Sequence, residues 1–207
     1  MKPHYLKRAL LGICLGLCVA VFAMAIPLLQ KDKTNMVPTD TETPILNVAG
    51  VGGAFEMLDH NGNIITDKNL IGKYTILFFG FTYCPAICPT ELQKITSAYA
   101  TLPQDIKDKL QLYFVSIDPE RDTQDIMKNY VALFDPEWVG LRGNDAQTNA
   151  MKKAYKVYAA KVPQGDTYTM DHSSFIYVMA PDGTLKYMFR GSDNATKIAA
   201  TLKDVVK

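Results

Sequence analysis

The chain has 207 residues, 48% of them apolar and 21% charged, an ordinary globular balance that excludes a disordered, collagen-like or disulfide-dense chain. That length holds one medium domain with something attached, not two full-sized domains. A net charge of +1 gives no electrostatic reason to expect a nucleic-acid partner; the charge is also uneven, since residues 1–30 hold Lys2, Lys7 and Arg8 and no acid, leaving the rest at −2.

From Ala9 to Leu29 run 21 residues without a charge. A helix of that length spans about 30 Å, the thickness of a bilayer's hydrocarbon core. Lys31, Asp32 and Lys33 end the run, and the basic residues before it favour a cytoplasmic start and an exported body. Residues 1–30 are therefore expected to form a retained single-pass anchor in an inner membrane. The competing reading is a signal peptide cut after Ala23-Met24-Ala25, although Pro27-Leu28-Leu29 carry the apolar run past that point. Both readings put the body in the periplasm or an equivalent exported compartment. Residues 31–47, polar and punctuated by Pro38 and Pro44, read as a linker, and residues 48–207 as one domain.

Within that domain, Ala54–Leu58 and Asn63–Thr66 form an expected hairpin about Asp59-His60-Asn61-Gly62. Tyr74–Phe81 is a continuous apolar run, as in a buried central strand, and a helical pattern follows Pro89 to about Ala100. Leu112–Ile117 is a second buried strand, Thr123–Phe134 an amphipathic helix and Ala146–Ala159 another. Ser174–Met179 and Leu185–Phe189 flank Pro181-Asp182-Gly183 as a hairpin, and Ala195–Val206 closes the chain as a helix. This order predicts an α/β thioredoxin-like fold, a central mixed sheet flanked by helices and preceded by one transmembrane helix.

Cys14 and Cys18 fall in the apolar run, so the exported body has only Cys84 and Cys88. So close a pair is a poor staple, because a disulfide gains most by closing a long loop. It lies just after the first central strand, at the sheet edge where α/β folds build their sites. Pro89 is expected as the first helical residue, which puts Cys88 at a helix amino terminus that favours thiolate. A thiolate is both a nucleophile and a soft-metal ligand. The segment Thr169-Met170-Asp171-His172-Ser173-Ser174, entering the next strand, lacks the proline of a thioredoxin oxidoreductase and is expected to bring His172 to the cysteine loop. Two thiolates and one imidazole suit copper, as Cu(I) or Cu(II). The ordinary alternatives are a plain disulfide and a hydrogen-bonded surface histidine.

At these residues the sequence resembles the SCO/SenC family of copper-binding thioredoxin-fold proteins, implicated in assembling cytochrome c oxidase. The resemblance runs through Phe55–Gly62, Gly72-Lys73-Tyr74, Gly80–Thr90, Val115–Thr123, Gly140–Gly143 and Asp171–Ser174. It implies copper ligands at Cys84, Cys88 and His172, and a membrane-tethered metallochaperone. Such a protein takes copper from an upstream donor and delivers it to the copper-receiving subunit of the oxidase, at the CuA centre. The alternative role is a thiol–disulfide reductase that keeps that centre's cysteines reduced, with Cys84 and Cys88 as the redox pair. Ala86 departs from the family, which commonly has aspartate there. Asp118–Asp122 are expected to act structurally, Asp122 as a helix cap and Arg121 in a local ion pair; Phe81 and Tyr83 are expected in the core.

Overall fold

The computed structural model describes residues 50–134 and 137–207. The expected anchor and linker lie outside these residues, among which no helix is long and apolar enough to cross a membrane.

Tyr74–Gly80 forms β3, with all seven residues buried, as its unbroken apolar run requires. Leu110–Ser116 forms β4 and pairs with it in parallel from Tyr74↔Leu110 to Gly80↔Ser116, so the two strands end level. Around this centre stand β1 (Glu56–Asp59), β2 (Ile64–Thr66), β5 (Trp138–Arg142), β8 (Ile176–Met179) and β9 (Leu185–Phe189). The seven-stranded sheet has the order β2-β1-β5-β4-β3-β8-β9, with β3-β4-β5 parallel and the outer pairs antiparallel. The mixed thioredoxin-like sheet expected from the sequence is thus present.

The helices are α1 (Ile87–Ala100), α2 (Gln104–Lys107), α3 (Gln124–Val131), α4 (Asp145–Ala154) and α5 (Ala195–Val205). Among the departures from expectation, two have local reasons. Asp122 does not cap α3; the Thr123 hydroxyl does, accepting the Ile126 N–H at 3.3 Å. The helix expected to reach Ala159 stops at Ala154, because Lys156 turns the chain through a φ of 55°.

Three strands had no sequence-based expectation. β5 is one. The others, β6 (Ala159–Gln164) and β7 (Thr167–His172), make a separate two-stranded sheet, turning at Gly165 with a φ of 59°. Along β7 the side chains of Tyr168, Met170 and His172 share one face, by the two-residue period of a strand, and Met170 is buried. His172 is thus carried by a hairpin with no ladder to the main sheet.

Candidate metal centre

The loops after β3 and β4 leave the sheet side by side, joined where the Ile117 N–H donates to the Gly80 carbonyl at 2.9 Å. Asp122 binds them further. Its fully buried carboxylate accepts from the Thr82 hydroxyl at 2.6 Å, the Thr82 N–H at 3.2 Å and the Ser116 hydroxyl at 2.5 Å. Desolvation raises its pKa, and these donors oppose the rise. The residue expected to cap a helix instead supports the cysteine loop.

Helix α1 begins at Ile87, two residues ahead of the expected start. Pro89 therefore sits within the first turn, where its missing N–H has no intrahelical partner to lose. Cys88, on the same turn, is fully buried, whereas Cys84 is half-buried. Gly80 makes room for it: a Cβ there would stand 2.8 Å from Cys88 Sγ and 2.8 Å from the Phe114 ring.

Ala86 is the N-cap of α1 and offers no side-chain acceptor. The Cys84 sulfur takes that part, accepting the Cys88 N–H at 3.3 Å. Both thiols are free, and they titrate as a pair. The Cys88 thiol, bonded to the Cys84 sulfur, is the main cause that draws the Cys84 pKa down to about 3; partial burial opposes it, and His172 and the Cys88 N–H add to it. The same bond, then burial, then the negative charge on Cys84, push Cys88 up. A Cys88 thiolate was expected from its helix position. The structure reverses that assignment, because the helix amino terminus points its N–H at Cys84 while Cys88 is buried.

His172 stands across from the pair, with Nε2 at 3.7 Å from Cys88 Sγ. Its Nδ1 lies 2.9 Å from the Ser173 carbonyl. A carbonyl only accepts, so Nδ1 carries the proton in this contact, and Nε2 is the ring atom turned towards the sulfur. Phe81, buried as expected, meets the imidazole edge-on with ring centroids 5.9 Å apart. A cavity of about 290 Å³, whose lining includes Cys84, Pro85, Ile87, Met170 and His172, opens beside these groups. Tyr83, expected in the core, is 56% exposed.

The donor set fits a soft metal ion. Bonds of about 2.3 Å to sulfur and about 2.0–2.1 Å to nitrogen, the lengths known for zinc, separate the two atoms by about 3.5–3.8 Å at tetrahedral to trigonal angles. The Cys88–His172 spacing of 3.7 Å falls in that interval. Among the described residues no three His, Cys, Asp or Glu side chains are gathered closely enough to hold an ion as they stand, so a third ligand requires a side-chain adjustment. Of the other histidines, His60 accepts the Gly140 N–H at 2.9 Å and serves β5; His4 lies outside the described residues.

Sequence reasoning left the Asp118–Asp122 loop out of the site. The expected Arg121–Asp118 ion pair is present at 2.6 Å, but Arg121 also reaches Tyr168 and the aromatic residues of the cysteine loop. The two carboxylates at the end of a central strand were the available signal.

A thioredoxin-like domain with two thiols after its central strand and an imidazole facing them is, as a class, a redox or soft-metal protein. The SCO1/SenC family model matches residues 45–207, and the chain belongs to that family. It is 39% identical over 142 residues to the mitochondrial SCO1 homolog 1 of Arabidopsis thaliana, covering 68% of this chain and 42% of that protein. The chain thus spans less than half the length of that relative. The copper-bound structure of Bradyrhizobium japonicum ScoI matches with a TM-score of 0.70 at 44% identity, over 75% of this chain and 99% of the other. Copper-bound yeast Sco1 matches with a TM-score of 0.69 at 34% identity, over 75% of this chain and 88% of the other.

Proposed function

We propose that this protein is a copper metallochaperone. Cys84, Cys88 and His172 hold the ion as cargo and pass it to the copper-receiving subunit of cytochrome c oxidase at its CuA centre. The observation that carries the reading is the approach of His172 Nε2 to Cys88 Sγ at 3.7 Å, with Cys84 adjoining. The copper in the two solved relatives supports the choice of metal. The uncharged run Ala9–Leu29 supports tethering to a membrane, with the domain in the periplasm or an equivalent compartment. Copper would come from an upstream donor and leave by stepwise exchange with the acceptor's cysteines. Oxidation of Cys84 and Cys88 to a disulfide removes two ligands, so copper affinity follows the redox state of the pair.

Copper analysis of the reduced protein tests this reading. One tightly bound copper is expected, lost on oxidation of the pair and weakened in His172→Ala; equally tight binding in that variant would remove His172 from the site.

A second reading, thiol–disulfide reductase, is favoured by the asymmetry of the pair. Cys84 is half-exposed with a depressed pKa, as an attacking thiolate needs, and Cys88 is buried behind it, as a resolving thiol. Without metal, Cys88→Ser should then trap a mixed disulfide through Cys84 to a cysteine of the oxidase subunit. No trapped partner is expected if the chaperone reading alone holds.

A further inference from the structure

The hairpin that carries His172 has no strand neighbour in the main sheet, so something else must set where the imidazole stands. Arg121 lies at that junction. Its Nη1 donates to the Tyr168 carbonyl at 2.8 Å, and its guanidinium stacks on the Tyr168 ring at 3.7 Å. Tyr168 shares with His172 the face of β7 turned to the body, four residues away. The guanidinium also lies 4.9 Å from the Tyr83 ring and 5.8 Å from the Phe81 ring, the ring that touches His172.

Asp118 holds the arginine in this place. Its fully buried carboxylate accepts Arg121 Nε at 2.6 Å on one oxygen and the Tyr168 hydroxyl at 2.8 Å on the other. Arg121 Nη2 is buried without a hydrogen-bond partner. A surface ion pair would leave that group in water; here it is given up to packing among rings. The contacts of this one side chain therefore span β7, the cysteine loop and the end of β4.

We propose that Arg121 is a positioning residue for copper ligation: it docks the β6–β7 hairpin on the cysteine loop and so sets the reach of His172 to the ion. The inference rests on the reading of His172 as a ligand. A lysine cannot replace the guanidinium, since one ammonium cannot both pair with Asp118 and donate to the Tyr168 carbonyl while stacking on three rings.

The test uses the full chain in detergent. Variants are Arg121→Ala, Arg121→Lys, His172→Ala and the double variant Arg121→Ala/His172→Ala. Cu(I) affinity is read by competition with a chromophoric chelator, and amide exchange is followed in the copper-free protein. Arg121→Ala is expected to weaken copper binding about 10- to 100-fold, as loss of a group that orients a ligand does. In the His172→Ala background the same change is expected to alter affinity less than about twofold, because its effect passes through the imidazole. Arg121→Lys keeps a positive charge beside buried Asp118, and so serves if the alanine variant fails to fold. It is expected to speed amide exchange in β6 and β7, leave β3 and β4 unchanged, and weaken copper binding.

Equal losses with and without His172 would overturn the proposal, as would Arg121→Lys with hairpin exchange and copper affinity both at wild-type values. Wild-type affinity in His172→Ala alone would instead remove the ligand reading, an outcome distinct from these.

Discussion

Cys84 and Cys88 are the same residue four positions apart, yet their surroundings give them opposite chemistry. The helix N–H and the neighbouring thiol both point at Cys84, so it holds the pair's negative charge and Cys88 keeps the proton. Because the folded pKa of Cys84 lies below that of the unfolded thiol, its contribution to stability is full above the unfolded value and drains as pH falls through about 3. Iodoacetamide should accordingly modify Cys84 in the metal-free protein at a rate nearly constant from about pH 8 to about pH 5, where an ordinary thiol slows about tenfold per unit. A rate falling in that ordinary way would contradict the assignment. Ala86 makes the arrangement open to manipulation. Ala86→Asp would install a carboxylate at the N-cap, stabilising α1 by about 1 kcal/mol while its charge disfavours the thiolate, so the reactivity midpoint should move up. Gly80→Ala should act through sterics alone: with Cys88 Sγ and Phe114 each 2.8 Å from the new Cβ, a loss of about 1–3 kcal/mol is expected in urea unfolding, with weakened copper binding.

At the scale of elements, the site is an arrangement of three segments: the loop after β3, the loop after β4 and the β6–β7 hairpin. Asp122 joins the first two. Asp122→Ala would leave the Thr82 N–H and the Thr82 and Ser116 hydroxyls without their shared acceptor, and a loss of about 3 kcal/mol is expected by chemical denaturation. A change below about 0.5 kcal/mol would mean that the carboxylate's desolvation cancels what its bonds supply. The legibility of these segments in sequence follows from their burial. β3 and β4 are apolar along nearly their whole length and were visible as runs. The four residues Lys161–Gln164 are exposed and Pro163 interrupts them, so β6 carries no alternation that marks a strand. The Gly165 turn was its one local signal. Arg121 and Asp122 were visible as charges with local partners, but Tyr168 and Thr82, the partners that tie them to the site, lie 47 and 40 residues away, which no local pattern encodes.

For the whole molecule, the cysteine pair and His172 are separated by 84 residues and are brought together by topology. The parallel centre delivers Cys84 and Cys88 at the carboxyl end of β3, and the hairpin before β8 returns His172 to the same edge. That much followed from the order of strands and helices, because a thioredoxin-like layout places the segment before β8 opposite the loop after β3. Which thiol carries the charge did not follow, since it depends on an N–H direction and on a cavity, both products of packing. The central claim, that these three side chains share one copper ion, is tested most directly by X-ray absorption at the copper edge on the reduced, loaded protein. Two sulfur scatterers and one imidazole nitrogen per copper are expected, with the nitrogen lost and both sulfurs kept in His172→Ala. A sulfur-only shell in the wild type, or an identical spectrum in the variant, would contradict the account.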